Sequence, residues 1–285
     1  METQVPNRDL FGNEIDVFVD ALHKYGQWPL TVWDRDASDG KMLRELIGDS
    51  GNSRKECFTR QATNKSVYAG KVTESIFDPG LACIILNCWA PKVGMCFDPF
   101  AGGGTRGIIA AKYGLNYLGI DIRPEEVIAV RERFSSLGVS GTSRIELADA
   151  RFCWFVPSRS ADFLLTCPPY WNLERYGGPD GDLSMIDNYE EFLSALKLVI
   201  SQTERILKPG SHSCWVVGMH RKPNGELVCM NHDVAAMHGH SGFTLKEEVV
   251  IARRNNGAIQ RVGNFEKGNR FLVRTHEYLL TFVRK

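Results

Sequence analysis

Three consecutive glycines, Gly102-Gly103-Gly104, separate a short apolar run ending at Asp98 from an amphipathic stretch that begins at Thr105. With no Cβ in the way, such a loop lets the backbone approach a ligand closely; tight strand–helix packing is the competing explanation. Gly102, Gly104 and Gly107 also match the G-x-G-x-x-G spacing of a dinucleotide loop. About 20 residues further on, Gly119-Ile120-Asp121 ends in a carboxylate that can accept both hydroxyls of a ribose. Asp149 closes the next apolar run, where it can accept from the exocyclic amine of an adenine. Any one of these carboxylates could be a helix N-cap, but three at successive strand ends are hard to explain by capping. No Gly-Lys-Ser/Thr run is present, which argues against a nucleoside triphosphate. The carboxylate of Asp98 would repel a pyrophosphate and suits a ligand with a cationic amino group, such as the methionine part of S-adenosylmethionine.

A second candidate follows at Thr166-Cys167-Pro168-Pro169-Tyr170-Trp171. Two prolines fix the backbone and remove two N–H donors, so carbonyls dominate the local polar surface, as an acceptor site for an amine requires. Tyr170 and Trp171 offer faces on which a planar base can stack. A rigid turn that packs both rings into the core is the plainer alternative.

These groups need a scaffold, and the hydrophobic patterning supplies one from about Ser75 onward. Leu81–Trp89, Thr105–Tyr113, Pro124–Leu137, Tyr189–Leu207 and Glu226–Met237 read as helices. Met95–Asp98, Asn116–Asp121, Arg144–Ala148, Asp162–Thr166 and Ser213–Gly218 read as strands, with late strands at Leu245–Ala252 and Glu277–Val283. Along Tyr189–Leu207, Phe192, Leu196, Val199, Ile200 and Leu207 share one face. Alternation of this kind predicts an α/β fold, a parallel sheet with helices on both faces and a ligand site at the carboxyl ends of its strands. Residues 1–72 read as an N-terminal extension and 73–285 as the main domain.

Composition narrows the class. The 285 residues hold 34 basic and 34 acidic side chains, so indiscriminate coating of nucleic acid is disfavoured. Charge is nonetheless uneven: residues 251–285 carry eight basic side chains against two acidic, and residues 50–72 five against one. Such segments can line a phosphate-facing cleft or be plain solvated faces. No membrane-length apolar run or secretory leader is visible, and the eight cysteines form no C-x-x-C pair, so a reducing cytoplasm is expected and a zinc framework is not. His232, His238 and His240 read as part of a polar helix and its exit, so no metal is expected.

Taken together, Phe100-x-Gly102-x-Gly104, Asp121, Asp149 and Cys167-Pro168-Pro169-Tyr170 resemble the S-adenosylmethionine-dependent amino-methyltransferases of DNA that make N6-methyladenine or N4-methylcytosine. The compact DNA methylases of phages and prophages are the nearest group. The resemblance spans Ser75–Lys285, including Arg274-Thr275-His276-Glu277-Tyr278. It implies a Rossmann-like class I methyltransferase sheet of seven strands, the last antiparallel. It also implies that Phe77, Asp78 and Pro79 hold the methionine end of the cofactor. Asp98, Phe100, Gly102 and Gly104 would cradle the cofactor, Asp121 and Ile122 its ribose, and Asp149 its adenine. Cys167, Pro168, Pro169 and Tyr170 would form the catalytic base site, with Tyr170 and Trp171 stacking on the base.

The implied partner is double-stranded DNA with one base extruded, N6 of adenine favoured slightly over N4 of cytosine, and the oligomeric state is left open. Cys167 departs from the family, which carries Asp, Asn or Ser there; sulfur is a weak acceptor. Nucleophilic attack by Cys167, as in C5-cytosine methylation, is disfavoured because those enzymes place the cysteine after a proline. Arg253, Arg254, Arg261, Lys267 and Arg270 are candidate contacts to the DNA backbone, and Asn172–Asp187 is a candidate lid. Without a large insertion for target recognition, a short or relaxed recognition sequence is expected. Rival readings are the same chemistry on RNA or a protein glutamine, and a catalytically silent nucleic-acid-binding subunit.

Overall fold

The computed structural model describes residues 31–34, 77–171, 173, 175–222, 224–252, 272 and 274–285. In chain order the elements begin with β1 (Val32–Asp34), α1 (Pro79–Trp89), β2 (Met95–Asp98), α2 (Thr105–Tyr113), β3 (Asn116–Asp121), α3 (Pro124–Ser136), β4 (Ser143–Leu147) and β5 (Ala161–Thr166). They continue with α4 (Tyr189–Ile206), β6 (Leu207–Val217), β7 (His220–Arg221), β8 (Leu227–Val228), α5 (Met230–His240), β9 (Phe243–Ala252) and β10 (His276–Arg284). Short 3-10 turns cover Ala150–Phe152 and Leu183–Met185.

Local chemistry sets the boundaries that matter for the site. Asp78 caps α1, its carboxylate accepting from the N–H groups of Gly80 and Leu81 at 2.7 and 3.2 Å. Helix α2 starts after Gly104, whose φ of 77° is left-handed and suits glycine. Proline at the first turn opens α3, and Asn188 caps α4.

Eight of these ten strands form one sheet in the order β1-β9-β10-β6-β5-β2-β3-β4, and β7 pairs with β8. Strand β10 runs antiparallel to both neighbours, whereas the β2–β3, β3–β4, β2–β5, β5–β6 and β1–β9 pairs are parallel. The strand order turns around between β2 and β5, which is where ligands settle in open α/β sheets. Alternate strand residues feed two cores: Phe97 and Leu164 pack with Phe192, Leu196 and Val199 of α4, while Cys96, Phe163 and Leu165 pack with Ile85, Ile108 and Val130 of α1 to α3. The expected doubly wound sheet with an antiparallel last strand is therefore present.

Three details differ from expectation. An eighth strand comes from the N-terminal segment: Val32 and Asp34 pair with Val250 and Ala252, and Trp33 stacks on Trp89 at 5.8 Å. Helix α5 begins at Met230 instead of Glu226, because Leu227–Val228 pairs back on His220–Arg221 as a β-hairpin, with Gly225 at a φ of 88° between them. Strand β6 starts at Leu207 and runs through Lys208-Pro209-Gly210, so these residues end α4 without interrupting the chain's return into the sheet.

Candidate active site

One cleft opens at the carboxyl ends of β2 to β5. Its walls include Phe77, Asp78, Phe100, Gly102, Gly104, Asp121, Ile122 and Asp149 from the anticipated cofactor set, together with Cys167, Pro168, Pro169 and Tyr170. Segments far apart in sequence, from Phe77 to Glu277, thus face one hollow.

The glycine loop divides its labour. A Cβ on Gly104 would lie 2.7 Å from Val130, and one on Gly107 would lie 2.6 Å from Tyr117, so these two glycines serve helix packing. A Cβ on Gly102 would meet nothing closer than the Phe100 carbonyl at 4.0 Å. With a φ of 49°, Gly102 turns its backbone toward open space and forms the floor of a cradle. Its N–H donates to Asp121 Oδ2 at 2.9 Å, locking the loop to the end of β3.

Asp121 also accepts from the Arg123 N–H at 2.9 Å. Burial pushes its carboxyl above the usual range, while the neighbouring Arg123 guanidinium opposes that shift. Arg123 in turn lies 3.9 Å from Glu126 and 4.9 Å from the centre of the Tyr176 ring. Asp149 is held bidentately by Arg151, with contacts of 3.0 and 2.6 Å to Oδ2, and both residues keep partial exposure.

The third strand-end carboxylate behaves differently. Asp98 is 0% exposed and is not among the residues lining the cleft. Its Oδ2 accepts from Arg106 Nε at 2.7 Å and from the Tyr117 hydroxyl at 2.9 Å. Its Oδ1 accepts from the Thr166 hydroxyl at 2.7 Å and from the Phe100 N–H at 3.1 Å. The expectation that Asp98 meets the ligand is corrected on this geometry: four donors hold it beneath the loop. Arg106 stands between it and the cleft.

On the opposite wall, Tyr170 lines the cleft at 9% exposure, and its hydroxyl lies 3.3 Å from Cys167 Sγ. The ring lies on Gly218, where a Cβ would come within 2.6 Å of it. The Pro168 carbonyl accepts no hydrogen bond among the described residues. Trp171 departs from its anticipated stacking role. At a φ of 54° it enters the left-handed region, and its 6% exposed ring packs against Tyr189 and His220 with centroids 5.1 and 5.5 Å away. That turn removes Trp171 from the cleft lining, so Tyr170 is the aromatic residue of this segment that faces the hollow.

The loop after Tyr170 reaches the cleft as anticipated, but over the other end. Tyr176, Gly181, Asp182 and Leu183 line it, and a Cβ on Gly181 would lie 3.0 Å from Asp149 and 3.2 Å from Ile122. This roof therefore covers the Asp121–Asp149 side. Arg106, Arg123, Glu126 and Glu277 are further cleft residues that sequence reading did not assign. For Arg106 a signal existed, namely a cation in the first turn after the glycine loop. Arg253, Arg254, Arg261, Lys267 and Arg270 lie outside the described residues.

Among the described residues no cluster of three metal-ligating side chains occurs, and no helix is long and apolar enough to cross a membrane. Buried His238 and His220 are held neutral: burial lowers them to about 3 and about 4.

One wall of this cleft falls within a known family model. Residues 161–285 match the DNA methylase family model. The match covers the Cys167-Pro168-Pro169-Tyr170 segment and the strands behind it, so the resemblance read from the sequence is shown there. The fold is that of the Rossmann-like class I methyltransferases. A geranyl diphosphate methyltransferase in complex with geranyl diphosphate and sinefungin is 12% identical over 73% of this chain and 79% of its own, with a TM-score of 0.53. The [4+2]-cyclase SpnF is 14% identical over 80% and 86%, with a TM-score of 0.52. TrmN from Thermus thermophilus is 18% identical over 73% of this chain; the chain spans 49% of that protein, at a TM-score of 0.49. No curated protein matches the sequence.

S-adenosylmethionine is the cofactor of the methyltransferases that this fold matches, and the cleft fits it. Gly102 leaves the space a side chain would fill, Asp121 and Asp149 present carboxylates, and Ile122 adds an apolar wall.

Proposed function

We propose that this protein transfers a methyl group from S-adenosylmethionine to the exocyclic amine of a base extruded from double-stranded DNA, with N6 of adenine preferred over N4 of cytosine. The observation that carries this reading is the shared hollow: Gly102, Asp121 and Asp149 line the same cleft as Cys167, Pro168 and Tyr170. A donor held by the first group and a base held by the second would be neighbours, and positioning of that kind supplies much of the rate of a displacement.

The bound cofactor supplies an electrophilic methyl group on a sulfonium. Around it, Asp121 would hold the ribose hydroxyls and Asp149 the adenine amine, while Phe77 and Gly102 would flank the methionine chain. On the base side the Pro168 carbonyl accepts an N–H of the target amine, drawing its nitrogen toward tetrahedral geometry. Tyr170 offers its ring to the base, as extrusion from a duplex requires. The Cys167 thiol contributes a weak acceptor beside the Tyr170 hydroxyl.

Residues 1–72 and the basic residues Arg253, Arg254, Arg261, Lys267 and Arg270 would engage the DNA backbone, giving salt-dependent affinity and a short or relaxed recognition sequence. The test is transfer of a labelled methyl group to duplex DNA, RNA and protein, with the modified base identified by mass spectrometry. N6-methyladenine in DNA is the expected product. Label confined to RNA or to protein glutamine would overturn the DNA reading, and binding without transfer would favour a silent subunit.

A further inference from the structure

Arg106 has a geometry that its neighbours do not explain by packing alone. It sits at the first turn of α2 and is only 5% exposed, yet it lines the cleft. Its Nε donates to Asp98 Oδ2 at 2.7 Å and its Nη2 donates to the Phe100 carbonyl. The guanidinium carbon lies 4.7 Å from the centre of the Phe77 ring, another cleft residue. Its Nη1 makes no hydrogen bond among the described residues. A guanidinium buried to this extent and left with an uncommitted nitrogen has its hydrogen-bonding capacity reserved for something that enters the cleft.

The sign of the charge identifies the ligand group. Asp98 is sealed off beneath Arg106, so at the end of β2 the group that faces the cleft is the guanidinium and not the Asp98 carboxylate. The N-terminus of α2, which no side chain among the described residues caps, adds positive potential at the same end. An anion is favoured there, and the amino-acid portion of S-adenosylmethionine carries one. Resting on the cofactor reading above, we propose that Arg106 binds the α-carboxylate of the methionine moiety through Nη1, with Asp98 acting as the positioning residue that fixes the guanidinium. The cofactor is thereby oriented by its carboxylate at the β2 end and by its ribose at Asp121.

The test compares three ligands by titration calorimetry: S-adenosylhomocysteine, its decarboxylated analogue and 5′-methylthioadenosine, which lacks the amino acid altogether. The proteins are the full chain, Arg106→Lys, and the charge-neutral double variant Arg106→Met with Asp98→Asn, which avoids an unpaired buried carboxylate. S-adenosylhomocysteine is expected to bind both variants roughly ten- to a hundredfold more weakly than the unaltered protein, the range for a charge-assisted hydrogen bond. The decarboxylated analogue and 5′-methylthioadenosine are expected to bind all three proteins within about twofold, since neither reaches Nη1. Equal weakening of all three ligands, or none, overturns the role of Arg106 and leaves the cofactor reading intact. Failure of the unaltered protein to bind S-adenosylhomocysteine overturns the cofactor reading and this proposal with it.

Discussion

The two halves of the sheet solve the problem of buried polarity in opposite ways. In the half built from β2 to β4, charges are buried in pairs: Asp98 with Arg106, Asp121 with Arg123, and at the margin Asp149 with Arg151. In the half built from β5, β6 and β10, buried polar rings are kept neutral. His238 stacks on Phe282 at 4.0 Å and meets Trp215 edge-on at 4.8 Å, while His220 packs on Trp171. The paired half faces the proposed cofactor, which carries charge, and the aromatic half faces the proposed base, which is planar and neutral. Protonation of these imidazoles, which burial opposes, is the acid-sensitive feature of the aromatic half.

The sharpest way to break this contrast is Asp98→Asn. It leaves Arg106 as an uncompensated buried cation and removes an anionic acceptor from Tyr117 and Thr166. We expect a loss of about 3–5 kcal/mol of stability in chemical denaturation; a loss below about 1 kcal/mol would show that the pair is not structural.

Acid should expose the aromatic half next. His238 and His220 have folded values near 3 and 4 against an ordinary 6.5, so between these limits the unfolded chain binds protons that the folded chain excludes. Stability is full above pH 6.5 and falls as pH drops through that value toward 4 and 3. At pH 5 the fully buried His238 alone should cost on the order of 2 kcal/mol. His238→Leu should flatten the dependence of melting temperature on pH between 7 and 5; an unchanged slope would locate acid sensitivity elsewhere.

Smaller effects should separate binding from catalysis. Asp149→Asn, on the rim, should weaken S-adenosylhomocysteine binding by roughly tenfold while stability changes by less than about 1 kcal/mol, the reverse of Asp98→Asn. Gly218→Ala should push the Tyr170 ring off its seat and lower kcat by about tenfold with cofactor affinity unchanged. If Gly218→Ala instead weakened cofactor binding, the division of the cleft into two halves would fail.

Much of this scaffold was legible because hydrophobic period and punctuation agree. Pro124 opens α3, the Lys208-Pro209-Gly210 run ends α4, and the glycine loop falls between β2 and α2. What escaped was decided by contacts across the chain. Strand β1 is three residues long and exists through its pairing with β9, which no local pattern announces. The fate of Asp98 depends on Arg106, Tyr117 and Thr166, residues spread over three elements. The aromatic pair at 170–171 divides because one residue takes a left-handed φ, a choice that two adjacent rings in sequence do not reveal. The β7–β8 hairpin did carry a signal, Asn224-Gly225, that the apolar pattern of the following helix obscured.

The pairing of Asp34 with Ala252 sets where two distant stretches of chain depart. Because β1 and β9 run parallel, Asp34 and Ala252 end their strands side by side, about one strand spacing of 4.8 Å apart. Both strand ends lie at the carboxyl edge of the sheet, as do those of β5 and β6. Positions more than two hundred residues apart along the polypeptide are thereby brought to one edge of one sheet.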